Sequence, residues 1–142
     1  MAGITAKEIN PNASVTIFEK TDKILTKVKI SGGGRCNVTH SCFEISELVK
    51  HYPRGEKFLK KSFHQFKVND TIDWFDKRNV HLKTEEDNRM FPITDNSQTI
   101  VDCLVSEFEQ LGGVLKRLMY RQSVFMGPSV HQHYSFNLCA TI

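Results

Sequence analysis

An α/β fold is predicted by three stretches of the chain. Ser14 to Phe18 carries Val15, Ile17 and Phe18, a short β-branched and aromatic run that reads as a strand and leads into Glu19. Asp95 to Leu111 reads as an amphipathic helix that stops at Gly112-Gly113 and is followed by Val114 and Leu115, the pattern of an α-to-β connection. Between the two lies Lys29 to His40, KISGGGRCNVTH, where three consecutive glycines strip the Cβ from a short turn and let the backbone approach whatever lies against it.

In chain order, Ala2 to Ile9 has helix-forming residues and stops at Asn10-Pro11-Asn12. The strand from Ser14 follows. Helices are predicted at Phe43 to Lys50 and Glu56 to Phe66, separated by Tyr52-Pro53-Arg54-Gly55. A third is predicted from Asp70 to Lys77, capped by Asn69 or Asp70, with Trp74 as a core residue and Asn79 suited to a left-handed exit. Val80 to Lys83 and Arg89 to Phe91 read as short strands around the polar turn Thr84 to Asn88. In the helix from Asp95, Asp95 and Gln98 stand at capping-box spacing, and Ile100, Val101, Leu104, Val105, Phe108 and Leu111 form one apolar face. Residues 117 to 142 contain no acid and no clear period, so they read as an atypical, poorly ordered tail beside a domain spanning 1 to 116.

At 142 residues the chain has the length of one ordinary domain, and 39% hydrophobic with 25% charged residues is a globular composition. No apolar run approaches the ~18 residues of a membrane span, and MAGITAKEIN has no apolar leader core. A cytoplasmic protein without a membrane partner is expected. Cys36, Cys42, Cys103 and Cys139 follow no C-x-x-C spacing, so reduced thiols are expected rather than a zinc site or a disulfide framework. His131 and His133 have no third ligand beside them, and no metal is expected. Of 19 basic residues only Arg117 and Arg121 lie beyond residue 116, which leaves the first 116 residues at +1. That is no nucleic-acid footprint, and Lys57, Lys60, Lys61 and Lys67 read as a solvated helix face.

The glycine loop is the candidate site. Lys23, Lys27 and Lys29 precede it and Arg35 and Asn37 follow, so backbone amides, positive charge and an amide side chain converge, a combination that binds anions. A flexible turn is the competing reading. The loop is neither a P-loop, since Gly34 is followed by Arg35 and Cys36, nor a G-x-G-x-x-G fingerprint. Glu19 ends a strand, as does the acid that holds ribose hydroxyls about 20 residues after the glycine loop of a dinucleotide-binding unit; a solvated strand-end carboxylate is the alternative. Counting back about 20 residues from Glu19 reaches Met1, so the first strand and its loop are expected to be missing.

VTIFEK, KVKISGGGRCNVTH, YPRGEKFL, FHQF, DTIDWFDKR and VHLKTEEDNRMFPITDNSQTIVDCL together resemble the HI0933-like, or BaiN-like, family of FAD-dependent, NAD(P)-linked flavoproteins over residues 2 to 115. The resemblance implies a partial Rossmann-like FAD-binding domain running into a helical and mixed segment, with electron or hydride transfer through the flavin. It implies that Glu19, with Lys20 beside it, holds the adenosine ribose, and that Lys27, Gly32, Gly33, Gly34, Arg35 and Asn37 line the pyrophosphate and flavin portion of FAD. Cys36 matches the motif but has no partner thiol at redox spacing, so no catalytic residue is assigned. Arg89, Phe91, Pro92 and Asp95 match a second motif, which either closes over the flavin side or forms a structural turn.

The family opens with a strand and a glycine-rich FAD loop and returns to the FAD domain near its C-terminus. On the resemblance, this chain is a truncated fragment, without amides that contribute roughly 1.5–3 kcal/mol each as charge-assisted hydrogen bonds. Doubtful activity of its own and a second strand with an unpaired edge are therefore expected. The alternative is a catalytically inert remnant or partner-binding domain.

Overall fold

The computed structural model describes residues 1–117. The histidine pair, Cys139 and all but the first residue of the expected tail lie outside the described residues. The chain builds an α/β, Rossmann-like arrangement in the order α1 (Ala2–Ile9), β1 (Thr16–Glu19), α2 (Thr26–Gly34), β2 (Thr39–His40), α3 (Ile45–Leu48), a 3₁₀ turn (Val49–His51), α4 (Glu56–Gln65), α5 (Val68–Asp76), β3 (Leu82–Thr84), β4 (Arg89–Pro92), α6 (Ser97–Gln110) and β5 (Val114–Arg117). β1 and β5 pair in parallel, Thr16 opposite Val114 and Glu19 opposite Arg117. β2, β4 and β3 form a separate antiparallel sheet with β4 in the centre.

α1 buries Ile4 and, against expectation for its charge, Lys7. The Lys7 ammonium donates to the carbonyls of Pro11 (2.5 Å) and Ala13 (3.0 Å), so it satisfies the turn that reverses the chain from α1 into β1. The strand itself begins at Thr16 and includes Glu19, later than the predicted Ser14 to Phe18; the Val15 carbonyl already accepts from the Val114 N–H at 2.9 Å. Among the described residues β5 is the one neighbour of β1.

Several predicted boundaries move, each for a local reason. The helix expected over Phe43 to Lys50 is reduced to one α turn, Ile45–Leu48, and the 3₁₀ turn. Glu44 is extended (φ −82°, ψ 116°), and Tyr52, ahead of Pro53, is forced out of the helical region. α5 begins at Val68 rather than Asp70, because the Asp70 carboxylate reaches back from the third helical position to the Lys67 N–H (2.8 Å) instead of standing at the cap. Asn79 does take the left-handed exit (φ 58°), and the Val80 N–H is spent on the Phe75 carbonyl, so β3 starts at Leu82 rather than at Val80. α6 is capped by Asn96, whose Oδ1 accepts from the Gln98 N–H at 2.9 Å; the predicted Asp95–Gln98 box does not form, because Asp95 lies before the cap with φ 51°.

α6 is the element against which the two sheets are assembled: it touches α1, α2, β4 and β5. Its Ile100 joins Cys36, Val38, Phe75 and Val80 in a buried cluster, with Val28, Trp74, Leu82, Cys103 and Leu104 packed around it. Trp74 thus contributes to the core as expected, from a half-buried position. Arg78 lies over its indole at 3.8 Å and donates to Glu8 of α1 (2.9 Å) and Glu107 of α6 (2.7 Å), tying three helical segments together.

Candidate functional site

The glycine loop grows out of α2. That helix is regular only to Ile30; Ser31 turns to ψ 151°, and Gly32 and Gly33 take φ 56° and 69°. Gly34 continues at φ 87° and Cys36 at φ 65°, so the loop is held in backbone conformations that glycine adopts freely and other residues adopt under strain. The Cys36 N–H closes the turn on the Ser31 carbonyl (3.0 Å), and the Ser97 hydroxyl of α6 donates to the Lys29 carbonyl (2.7 Å), pinning the end of the regular helix.

The two motifs picked out in the sequence meet here. A Cβ on Gly32 would stand 2.6 Å from the Phe91 ring and 2.9 Å from the Asn37 amide nitrogen, so only glycine lets the loop rest on β4. Phe91 is fully buried, and the Arg35 guanidinium stacks on its ring at 4.0 Å. The Val38 N–H donates to the Met90 carbonyl (2.9 Å), and β2 continues the pairing with Thr39 opposite Met90. In contrast, Gly33 and Gly34 are exposed, and a Cβ on either would meet nothing within 4 Å. The loop therefore has a packed side against Phe91 and an open side toward solvent.

Its charges are already paired. Arg35 forms a forked ion pair with Glu85, its second nitrogen 3.3 Å from Oε2, and lies 3.6 Å from Asp95. The hydrogen bond that Arg35 donates to Glu85 raises the Arg35 pKa above its ordinary value. Asp95, hydrogen-bonded first by Lys83 (2.5 Å) and attracted also by Arg35, is held below the usual carboxylate range. Arg35 thus works as a brace between the loop, the Thr84–Asn88 turn and the start of α6. Cys36 is buried in the core cluster, and that burial pushes its thiol upward, which keeps it protonated and unreactive.

Of the other predicted site residues, Glu19 and Lys20 stand at the C-terminal end of β1, Lys20 exposed. The Glu19 carboxylate accepts from the Thr21 N–H (2.9 Å) and hydroxyl (3.0 Å), which lowers its pKa and fixes it as an anion. It also edges a cavity of about 110 Å³ lined by Ile4, Ile17, Leu104 and Phe108. Lys27 is exposed in the first turn of α2. Asn37 leaves its buried Oδ1 without a hydrogen-bond partner. The structure so brings Gly32, Arg35 and Asn37 together with the second motif, and places Glu19 on a different strand.

Sequence reasoning passed over Glu85 and His40. Glu85 lies in a turn read only as polar, and its ion pair with Arg35 spans 50 residues of chain, a separation that no local pattern reports. His40 was inside the motif, but its buried, unpartnered Nδ1 is a property of packing.

The family model described as the HI0933-like protein Rossmann domain matches residues 1–133. The chain is 24% identical over 110 residues to a 3-dehydro-bile acid delta(4,6)-reductase of Clostridium scindens, covering 78% of this chain and 26% of that protein. It is 33% identical over 104 residues to the ribosomal RNA dihydrouridine synthase of Escherichia coli, covering 73% of this chain and 25% of that protein. The chain thus spans about a quarter of the length of these curated relatives.

Proposed function

Because this chain belongs to the HI0933-like Rossmann family, we propose that it supplies part of the FAD-binding site of an FAD-dependent, NAD(P)-linked oxidoreductase. The observation that carries the reading is the two-sided loop: Gly32 and Arg35 seat it on Phe91, while Gly33 and Gly34 keep an open face where a cofactor's backbone could come close. The residues fit such a group at three points. Gly33 and Gly34 offer the approach, Asn37 offers an amide, and Glu19 is a fixed anion at a strand end, suited to accept hydrogen bonds from ribose hydroxyls. Lys20 and Lys27 supply nearby positive charge. Arg35, paired with Glu85 and 3.6 Å from Asp95, holds the loop in shape beside that open face.

FAD, when bound, supplies the electron and hydride chemistry of the family; these residues position it. The proposal is of a binding site, since the matched segment covers only about a quarter of each curated relative. Titration of the purified chain with FAD tests it, followed by flavin fluorescence and thermal unfolding. Saturable quenching with a rise in Tm is expected, since a ligand that binds the native state at 100 times its Kd contributes about 2.7 kcal/mol. A folded chain whose melting is unmoved by FAD contradicts the reading.

A second reading, a partner-binding domain, is favoured by one observation. Ile17 and Phe18 of the two-stranded sheet are 41% and 60% exposed, and a two-stranded sheet with apolar residues uncovered calls for further protein against it.

A further inference from the structure

α4 leans on α3 and the 3₁₀ turn, and none of its residues is fully buried. At about 3.6 residues per turn, Leu59 and Phe63 fall on one side, half-buried, with the Phe63 ring 5.7 Å from that of Tyr52. The opposite side carries Lys57, Phe58 and Lys61, flanked by Lys60 and His64, all of them exposed. Packing accounts for Leu59 and Phe63. It does not account for Phe58, which is 77% exposed among lysines, further into solvent than any other phenylalanine among the described residues.

Positive charge is concentrated on the same helix. Residues 52 to 67 carry Arg54, Lys57, Lys60, Lys61 and Lys67 against Glu56 alone, a balance of +4. The first 116 residues total +1, so the remainder of that segment stands at −3. Arg54, Lys57, Lys60 and Lys61 form no ion pair among the described residues, whereas Arg35, Arg78, Lys83 and Arg89 are each held by a carboxylate. A basic patch on an otherwise acidic body attracts a negative partner and orients the body toward it.

The size and chemistry of the patch select among negative partners. The outer face of a ten-residue helix, about 15 Å long and 10 Å wide, is a small fraction of the ~800 Å² that each side of a stable protein interface buries. Nucleic acid is gripped by arginine forks and by successive stacking rings, while here three of the four unpaired cations are lysines and Phe58 is the one ring on this face. An anionic lipid surface requires neither. Ammonium charges add up against a diffuse negative plane, each contributing about 5-fold in partition, and a ring entering the headgroup boundary supplies the apolar part. Among the described residues no helix is long and apolar enough to cross a membrane, so the contact is with the surface alone.

We propose that the outer face of α4, with Lys57, Lys60 and Lys61 around Phe58, docks this protein on the surface of an anionic lipid bilayer. The proposal stands apart from the FAD reading, since α4 contains none of the residues assigned to that site, and its test uses no FAD.

The full chain is sedimented with vesicles of phosphatidylcholine alone and with vesicles of phosphatidylcholine and phosphatidylserine in equal parts, at low and at high salt. Binding to the mixed vesicles only, weakening as salt rises, is expected. Lys57→Gln, Lys60→Gln and Lys61→Gln combined should weaken partition about 100-fold, and the same three positions changed to Arg should keep it near the wild-type value. Phe58→Ala should weaken it about 10-fold. All four positions are exposed, so the variants should melt as the wild type does; if the triple Gln variant fails to fold, Phe58→Ala and the salt series decide the matter. Equal binding to phosphatidylcholine alone, or binding to neither vesicle, overturns the proposal. Binding that is indifferent to Phe58→Ala overturns it too, as does retention of a single-stranded RNA at a salt concentration that releases the vesicles, which would identify a nucleic-acid surface instead.

Discussion

Gly32 and Gly33 share a left-handed backbone but differ in surroundings, which separates the cost of conformation from the cost of contact. Gly33→Ala meets open space, so it should lose about 1–2 kcal/mol from the positive φ alone. Gly32→Ala adds a collision with the Phe91 ring and the Asn37 nitrogen, and a further 1–3 kcal/mol or so is expected from overpacking. Denaturant melts of the two variants check the ranking; equal losses would mean that the loop does not rest on Phe91. The sequence marks the glycines as exceptional, yet not this difference, because the triplet looks uniform until β4 is placed beneath one end of it. Cys36 matches the motif without a partner thiol at redox spacing, and its burial in the core cluster pushes the thiol pKa upward.

Among elements, α6 was the most legible, since a fourteen-residue helix with one apolar face declares its period and its glycine stop. Its start was misread because Asp95 has the right spacing but is held by Lys83 and Arg35, leaving Asn96 to cap. Short elements were read less well: Phe43 to Lys50 has helical composition, and the proline that follows limits it to a turn. Arg78 joins α1 and α6 through Glu8 and Glu107 from a site just past α5, a role that no local pattern predicts. Arg78→Ala should cost about 1–3 kcal/mol by removing charged hydrogen bonds and the stack on Trp74, whereas Arg78→Lys should recover part of the loss. Thermal unfolding distinguishes these results, and a wild-type melt from Arg78→Ala would show that the clamp contributes nothing.

For the whole molecule, the parallel pairing of β1 with β5 across nearly the full described chain is the Rossmann-like feature, and its two strands were legible as apolar runs. The antiparallel sheet was legible as strands but not as the support of the glycine loop, since that depends on a register between residues 39 and 90. Stability should also depend on acid. Glu19, Asp87 and Asp95 are all held below their ordinary pKa values, mainly by hydrogen bonds from Thr21, Arg89 and Lys83 respectively. Over that interval the unfolded chain binds more protons than the folded one, so the stabilisation is present above the ordinary carboxylate pKa of about 4 and is lost as pH falls through the lowered values. Urea midpoints measured from pH 6 down to pH 3 should fall, most steeply below about pH 4. A flat profile would remove these carboxylates from the balance.

In the proposed site, the open face of the loop, together with the end of β1, receives FAD. Hydrogen exchange read by mass spectrometry, with and without saturating FAD, tests it most directly. Slowed exchange is expected in peptides covering Glu19 to Lys20 and Gly32 to Asn37, with α4 little changed. Protection confined to other segments, or none in a chain that remains folded, would contradict it.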